Sequence, residues 1–265
     1  MRTLAIMVLS VVLLGACSST PQAERPNRVL FVGNSQVYVG NLPAVFSALA
    51  AANGRAVHSD MIVKGGAALD DRLADGSVAR ALSRHAYTTV VLQERGGNLM
   101  CAFGPDACAR SREAVKSLAD LARQNGARVV LLGSYQSLPA ASRTLVEAES
   151  SAAADAGIPY IEVSAQLQRL RAAEPELAWF HADGMHPGRD LVLLDAILLY
   201  RYAFGSLPQA RDFTVIAPIY GVNSGLKPEL RPATAPPPKA DTRRRLSYAG
   251  ATIDKLLSVI GPDGR

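Results

Sequence analysis

Several features are scarce in this sequence of 265 residues. Charged residues make up only 19% of the chain and hydrophobic residues 49%, a balance that excludes a disordered protein. The 21 glycines and 16 prolines are unremarkable for this length, which excludes collagen-like and low-complexity chains. The length therefore predicts one large domain or two small ones with a substantial buried core. Cysteine is also scarce, and the three present are an odd number that needs an explanation.

The amino terminus has the pattern of an export signal. Arg2 precedes an apolar run of 11 residues from Leu4 to Leu14, which is shorter than the ~20 apolar residues of a membrane span. The following Leu14-Gly15-Ala16-Cys17 resembles the bacterial lipobox, in which the cysteine is diacylated and becomes the first residue. We predict a lipoprotein signal peptide over residues 1–16, a lipidated Cys17 and a polar tether over residues 17–27. A plain secretory signal that ends near a cysteine is the alternative.

A lipid on Cys17 would anchor the protein in the bacterial cell envelope. Ser18 follows this cysteine at the position where an aspartate often signals retention in the inner membrane. By that resemblance, the expected location in a Gram-negative host is the outer membrane, facing the periplasm. The membrane partner is then reached through the lipid rather than through a spanning helix.

The other two cysteines, Cys101 and Cys108, are separated by six residues that include the turn sequence Gly104-Pro105-Asp106. An exported protein meets an oxidising compartment, so this spacing predicts a small disulfide loop. A metal pair or a nucleophilic thiol are the alternatives. A zinc set is disfavoured because no histidine lies nearby in the sequence.

Short apolar runs alternate with longer amphipathic ones through most of the chain. Strands are predicted over residues 29–32, 57–63, 89–92, 128–132 and 158–163. Helices are predicted over residues 42–53, 69–84, 111–124, 142–156, 165–173 and 191–202. Strict alternation with continuous apolar strands predicts an α/β fold: a flavodoxin-like, doubly wound parallel sheet in a three-layer α/β/α sandwich. In such folds the site lies at the carboxyl ends of the strands.

The carboxyl-terminal part of the sequence differs from this pattern. We predict a domain over residues 28–208 and a Pro-rich basic extension over residues 209–265, with a semi-rigid linker over residues 228–238 and a terminal helix over residues 246–260. Residues 201–265 hold 10 Lys/Arg and 5 Asp/Glu, whereas residues 17–200 hold 17 and 18. The net charge of +5 is therefore concentrated in residues 201–265. The arginine run 243–245 there is either a solvated helix start or a patch for anionic lipid or lipopolysaccharide. No nucleic-acid partner is expected.

Three residues have the types and positions that nucleophilic catalysis needs. Ser35 directly follows the first predicted strand, where a nucleophile is exposed. Asp183 and His186 are three residues apart in one short loop, so the carboxylate can orient and stabilise the imidazole. The imidazole can then accept the proton of the serine hydroxyl. This pattern predicts a Ser35–His186–Asp183 catalytic triad.

Four sequence blocks in order resemble the SGNH or GDSL-type serine hydrolases between Val29 and Pro208. The blocks are Phe31-Val32-Gly33-Asn34-Ser35, Lys64-Gly65-Gly66-Ala67-Ala68-Leu69, Val91-Leu92-Gln93-Glu94 and Asp183-Gly184-Met185-His186. Two departures occur: Asn34 replaces the usual aspartate, and the third block lacks the usual Asn. Gln93-Glu94 resembles one branch of candidate SGNH hydrolases, which also has the Gly-Asn-Ser block.

The resemblance implies an oxyanion hole with three hydrogen-bond donors. These are the backbone N–H of Ser35, the backbone N–H of Gly66 and one side-chain amide, which we assign to Gln93 at the end of the third strand. Asn98 is the rival for the amide, and Gly65 is the rival for Gly66. No cofactor is expected, and no cluster shows metal-ligand spacing.

The triad pattern and the resemblance together predict a serine esterase that hydrolyses carboxylic esters through an acyl-serine intermediate. The resemblance implies O-acetyl esters of carbohydrate or other short-chain acyl esters as the expected substrates, small or polymeric. Two alternatives stay open: a lipase or lysophospholipase-type esterase, and a non-catalytic carbohydrate-binding envelope lipoprotein on the same scaffold. The sequence gives no oligomeric state.

Overall fold

Segments rich in apolar and β-branched residues form most strands of the central sheet, as the sequence predicts. A computed structural model describes residues 27–238 and 242–261. The predicted signal peptide, Cys17 and nearly all of the predicted tether lie outside the described residues. The strands are β1 Asn27–Gly33, β2 Val57–Val63, β3 Thr89–Leu92, β4 Arg128–Leu132, β5 Tyr160–Ile161, β6 Phe213–Ile216, β7 Arg231–Pro232 and β8 Arg245–Tyr248.

The central sheet has the strand order β5-β4-β3-β1-β2-β7. The first five strands of this order are parallel, and β7 pairs antiparallel with β2 at the edge. The parallel part has the flavodoxin-like order, which confirms the predicted doubly wound fold. β6 and β8 form a separate antiparallel pair.

Helices cover both faces of the sheet. They are α1 Ser35–Tyr38, α2 Leu42–Ala52, α3 Leu69–Ala74, α4 Ser77–Arg84, α5 Pro105–Gln124, α6 Pro139–Asp155, α7 Ser164–Ala173, α8 Arg189–Phe204 and α9 Gly250–Ile260. Alternate residues of β1 face opposite cores, with Phe31 toward α2 and α8 and Leu30 toward α4 and α5. The carboxyl-terminal ends of the parallel strands therefore lie between the two helical layers.

Four of the predicted elements differ clearly from the structure. The terminal helix predicted over residues 246–260 begins only at Gly250, because Arg245–Tyr248 form β8 and pair with β6. The helix predicted over residues 69–84 is two helices, because Gly76 adopts a left-handed φ of 64° between them. The helix predicted over residues 111–124 begins earlier, at Pro105, a residue type suited to a first helical turn. The strand predicted over residues 158–163 pairs only at Tyr160 and Ile161.

The carboxyl-terminal segment packs onto the domain and extends its core. Phe213 stacks on Tyr248 with ring centroids 5.0 Å apart, and Ile253 and Leu256 of α9 are fully buried in the same core as α2 and α8. Asn41 holds two parts of this segment against the domain, because its Nδ2 donates to the carbonyls of Pro218 at 2.7 Å and of Ala233 at 2.9 Å. The segment predicted as a linker therefore contributes an edge strand, β7, to the sheet. Within residues 27–238 and 242–261, no helix is long and apolar enough to cross a membrane.

Cys101 and Cys108 are joined by a disulfide, as predicted. The bond ties the loop after β3 to the first turn of α5, where Cys108 is buried. The same loop holds Phe103, whose ring lies 4.2 Å from the Arg95 guanidinium. The disulfide therefore limits the freedom of a loop that contacts the edge where the strands end.

Replacing Cys101 with alanine is expected to lower stability by about 2 kcal/mol, because the unfolded chain regains the entropy of a short closed loop. Differential scanning fluorimetry would show this as a fall of about 5 °C in the midpoint of unfolding. Reductant should lower the wild-type midpoint by the same amount and leave the variant unchanged. Equal midpoints for the wild type with and without reductant would contradict a stabilising role for the bond.

Candidate active site

Ser35 lies at the first turn after β1, where the chain passes directly from strand to helix. Asn34 caps this short helix, because its Oδ1 accepts a hydrogen bond from the Gln36 backbone N–H at 3.0 Å. Gly33 is needed at the end of the strand, since a Cβ there would lie 2.8 Å from the Val37 side chain and 3.0 Å from the Gln93 carbonyl oxygen. The turn holds Ser35 partly exposed at the carboxyl edge of the sheet.

Asp183 and His186 are hydrogen-bonded to each other in the loop before α8. The distance from Asp183 Oδ2 to His186 Nδ1 is 2.8 Å. Asp183 Oδ1 accepts from the backbone N–H groups of His186 at 3.0 Å and Met185 at 2.9 Å. These backbone bonds hold the pKa of the Asp183 carboxyl below its usual range. The carboxylate is therefore ionised and fixed beside the imidazole.

The loop that presents Asp183 and His186 is held at both of its ends. The Tyr135 hydroxyl donates to the Met185 carbonyl at 3.0 Å, and the His181 backbone N–H donates to the His186 carbonyl at 2.9 Å. Gly188 closes the base of the loop, because its N–H donates to the Trp179 carbonyl at 2.9 Å and a Cβ there would overlap the Ala178 carbonyl. These contacts hold the backbone of the His186 loop in place and so fix the position of the imidazole.

One cleft of about 410 Å³ is lined by Ser35, His186 and Gly66, and Asp183 lies behind His186 through its hydrogen bond to Nδ1. Its walls come from four loops that follow parallel strands and from the loop of His186. The lining residues are Asn34, Ser35, Gln36, Gly66, Arg95, Gly96, Tyr135, Gln136, Ser137, Phe180, Gly184, Met185 and His186.

Two residues that line this cleft have backbone N–H groups available as donors. Gly66 has a left-handed φ of 68° and lines the cleft, whereas a Cβ on Gly65 would lie 2.9 Å from the Tyr38 hydroxyl. Among the described residues, the N–H groups of Ser35 and Gly66 have no hydrogen-bond acceptor. Unpaired N–H groups in a concave site are suited to bind an anionic oxygen.

The predicted side-chain amides lie away from the cleft lining. Gln93 is 2% exposed, and its Nε2 donates to Gln36 Oε1. Asn98 is also buried, with its Nδ2 donating to Ser111 Oγ at 3.0 Å and its Oδ1 accepting from the Arg95 guanidinium at 2.8 Å. Gln36 lines the cleft next to Ser35, as do the amide residues Asn34 and Gln136. Sequence reasoning missed Gln36, and the only signal for it was a polar residue directly after the serine.

Two buried carboxyl groups lie behind the cleft. Burial raises the pKa of Glu94 to about 7, although the backbone N–H groups of Arg95 and Leu69 donate to it. Burial raises the pKa of Glu149 to about 8. Glu149 accepts from the Ser134 N–H at 2.9 Å and from the Tyr160 hydroxyl at 2.8 Å. Both carboxyl groups therefore hold a proton more tightly in the folded state than in the unfolded state.

The unfolded chain releases these protons at the ordinary pKa of a glutamate, whereas the folded protein holds them up to the raised pKa. The free energy of unfolding therefore falls as the pH rises between these two values. We expect the unfolding midpoint to drop by at least about 5 °C from about pH 5 to about pH 9. Glu149→Gln should reduce this drop, since a glutamine stays neutral and can accept from Ser134 while donating to Tyr160. Glu147→Gln, on the exposed side of the same helix, is the control. Parallel curves for the wild type and Glu149→Gln would contradict the assignment.

The fold and the cleft can be compared with known proteins. No family model matches the chain, and no curated protein matches it. Among solved structures, it is similar to a candidate SGNH hydrolase from Slackia heliotrinireducens, with a TM-score of 0.54 and 26% identity over 66% of this chain and 97% of that chain.

Two further solved structures share the fold. TesA has a TM-score of 0.52 and 20% identity over 68% of this chain and 99% of its own. A variant of the Geobacillus acetyl-xylooligosaccharide esterase Axe2 has a TM-score of 0.51 and 13% identity over 66% of this chain and 93% of its own. The chain therefore has the fold of the SGNH hydrolases, a class of serine ester hydrolases, and its fold matches the one that the resemblance implies.

Proposed function

We propose that this protein is a serine esterase that hydrolyses carboxylic esters through an acyl-serine intermediate. The observation that carries the proposal is that His186, hydrogen-bonded to Asp183, lines the same cleft as Ser35. Ester hydrolysis needs a nucleophile, a base and an oxyanion site within reach of one carbonyl group. The cleft holds candidates for all three.

In the proposed first step, Ser35 Oγ attacks the ester carbonyl while His186 Nε2 accepts the hydroxyl proton. His186 then donates that proton to the leaving alkoxide as the C–O bond breaks. In the second step, His186 takes a proton from water, the hydroxide attacks the acyl group, and Ser35 recovers its proton. Asp183 fixes the Nδ1–H tautomer of His186 and stabilises the imidazolium that forms twice in each cycle.

The backbone N–H groups of Ser35 and Gly66 are proposed to bind the oxyanion of the tetrahedral intermediate. Each such donor contributes a few kcal/mol when it is preorganised, because no solvent has to reorient as the charge develops. The left-handed backbone at Gly66 and the helix start at Ser35 support this proposal, because both residues line the cleft and neither N–H has an acceptor among the described residues.

The polar lining of the cleft supports an acetylated carbohydrate as the substrate. Gln36, Arg95, Gln136 and Ser137 offer donors and acceptors that suit sugar hydroxyl groups. Phe180 and Met185 offer a small apolar surface for a sugar face or a short acyl group. The fold is shared with Axe2, which is described as an acetyl-xylooligosaccharide esterase. A long acyl chain would need a larger apolar wall than these two residues provide.

The test compares p-nitrophenyl acetate, p-nitrophenyl octanoate and acetylated xylooligosaccharides with the purified protein. Hydrolysis of the acetyl esters at rates well above those for the octanoate, abolished in Ser35→Ala, is the expected result. A preference for the octanoate would instead favour the lipase alternative. Equal background rates for the wild type and Ser35→Ala on every ester would overturn the enzymatic proposal and leave the carbohydrate-binding alternative.

A further inference from the structure

The side chain of Gln36 occupies a position between the nucleophile turn and the ends of β3 and β4. Its Oε1 accepts two hydrogen bonds, one from Gln93 Nε2 and one from Ser134 Oγ at 2.6 Å. Both donor residues are buried. Gln93 directly follows β3, and Ser134 lies two residues after β4. The structure places Oε1 of Gln36 toward these two groups and Nε2 away from them.

This orientation leaves the other end of the amide in the cleft. Gln36 Nε2 has no hydrogen-bond partner among the described residues, and Gln36 lines the cleft beside Ser35. Gly96 provides the space, since a Cβ there would lie 3.3 Å from Gln36 Nε2 and 3.1 Å from Ser134 Oγ. The N–H groups of Ser35 and Gly66 are likewise unpaired in the same cleft.

We propose that Gln36 Nε2 is the side-chain donor of the oxyanion hole, and that Gln93 and Ser134 are positioning residues that aim it. This inference rests on the proposed esterase function. It differs from the sequence-based assignment of Gln93, which supplies its N–H to Gln36 rather than to the cleft. A donor carried on the residue after the nucleophile moves with Ser35, so its distance to the reacting carbonyl is set by the same turn.

The physical advantage lies in preorganisation. A glutamine on the surface loses rotamer freedom when it binds an oxyanion, which lowers the net gain. In this cleft the two hydrogen bonds to Oε1 already fix the side chain before substrate binds. They also polarise the amide, because a carbonyl that accepts two hydrogen bonds makes its N–H groups better donors.

The first experiment measures kcat and KM of Gln36→Ala and Gln36→Glu with p-nitrophenyl acetate. We expect Gln36→Ala to lower kcat about 10²- to 10³-fold with KM changed by less than about threefold, since an oxyanion donor acts in the transition state. Gln36→Glu should be at least as impaired, because it places a carboxylate against the developing charge. Gln124→Ala, an exposed amide at the end of α5, is the control.

The second experiment tests the positioning roles by a double-mutant cycle. Ser134→Ala and Gln93→Ala should each lower kcat in the wild type and have little further effect in the Gln36→Ala background, because their role passes through Gln36. A merely structural role would give losses that add in both backgrounds. Thermal unfolding of each variant separates lost folding from lost positioning.

Three results would overturn the inference. Gln36→Ala within about threefold of wild-type kcat would remove Gln36 as a catalytic donor while leaving the esterase proposal intact. A wild-type kcat in Gln36→Glu would show that no N–H donor is needed at this position, because a carboxylate can only accept hydrogen bonds. Absence of Ser35-dependent hydrolysis in the wild type would remove the proposed function and, with it, this inference.

Discussion

Replacing Ser35 with alanine is expected to lower kcat for aryl acetates by about 10⁴-fold or more, because no other group takes over the covalent step. The hydroxyl lies at the start of α1 in the cleft that also holds His186. An alanine fits the same turn, since Asn34 still caps the helix through the Gln36 N–H. Stability should therefore change little while activity is lost.

The control for this variant is Ser83→Ala, which removes an exposed hydroxyl from α4. Initial rates at saturating ester, together with unfolding midpoints, give the comparison. A Ser35→Ala protein that folds normally and keeps more than about a tenth of the wild-type kcat would contradict its role as nucleophile.

Replacing Asp183 with asparagine is expected to lower kcat by about 10³- to 10⁴-fold. Asp183 Oδ2 accepts from His186 Nδ1, and its Oδ1 accepts two backbone N–H groups. An asparagine keeps the oxygen on the backbone side and presents its NH₂ to Nδ1. The imidazole then adopts the tautomer with a proton on Nε2, which cannot accept the Ser35 proton.

The matched control is Asp155→Asn, an exposed carboxylate whose partner is Arg112 on the neighbouring helix. It should leave kcat within about twofold, because exposed ion pairs contribute little. A loss below about tenfold in Asp183→Asn would show that the carboxylate is not needed to orient His186.

Much of the fold could be predicted because local signals in the sequence agree with it. The strands over residues 57–63, 89–92 and 128–132 have the predicted bounds, since apolar β-branched runs end at turn residues. The two-residue strand Arg231–Pro232 could not be predicted, because it exists only through its pairing with Asp60 and Met61 far away in the chain. Proline and arginine have no strand signal of their own.

The site shows the same division between local and long-range information. Ser35, Asp183 and His186 were chosen because of a strand end and a three-residue spacing. In the structure Ser35 and His186 line one cleft, and Asp183 is hydrogen-bonded to His186. The identity of the side-chain amide donor depends on the direction in which the side chains at two strand ends point. Gln93 follows β3 as expected, yet it faces Gln36 and not the cleft. No spacing in the sequence encodes that contact between residues 57 positions apart.

Mass spectrometry after treatment with a fluorophosphonate tests the central claim most directly. The reagent forms a stable phosphonyl adduct only with a serine that its neighbours activate. The account predicts one adduct per chain, on Ser35, formed much more slowly in Asp183→Asn and absent in Ser35→Ala. An unlabelled wild-type protein, or an adduct on a different serine, would contradict the assignment of Ser35 as the nucleophile of this cleft.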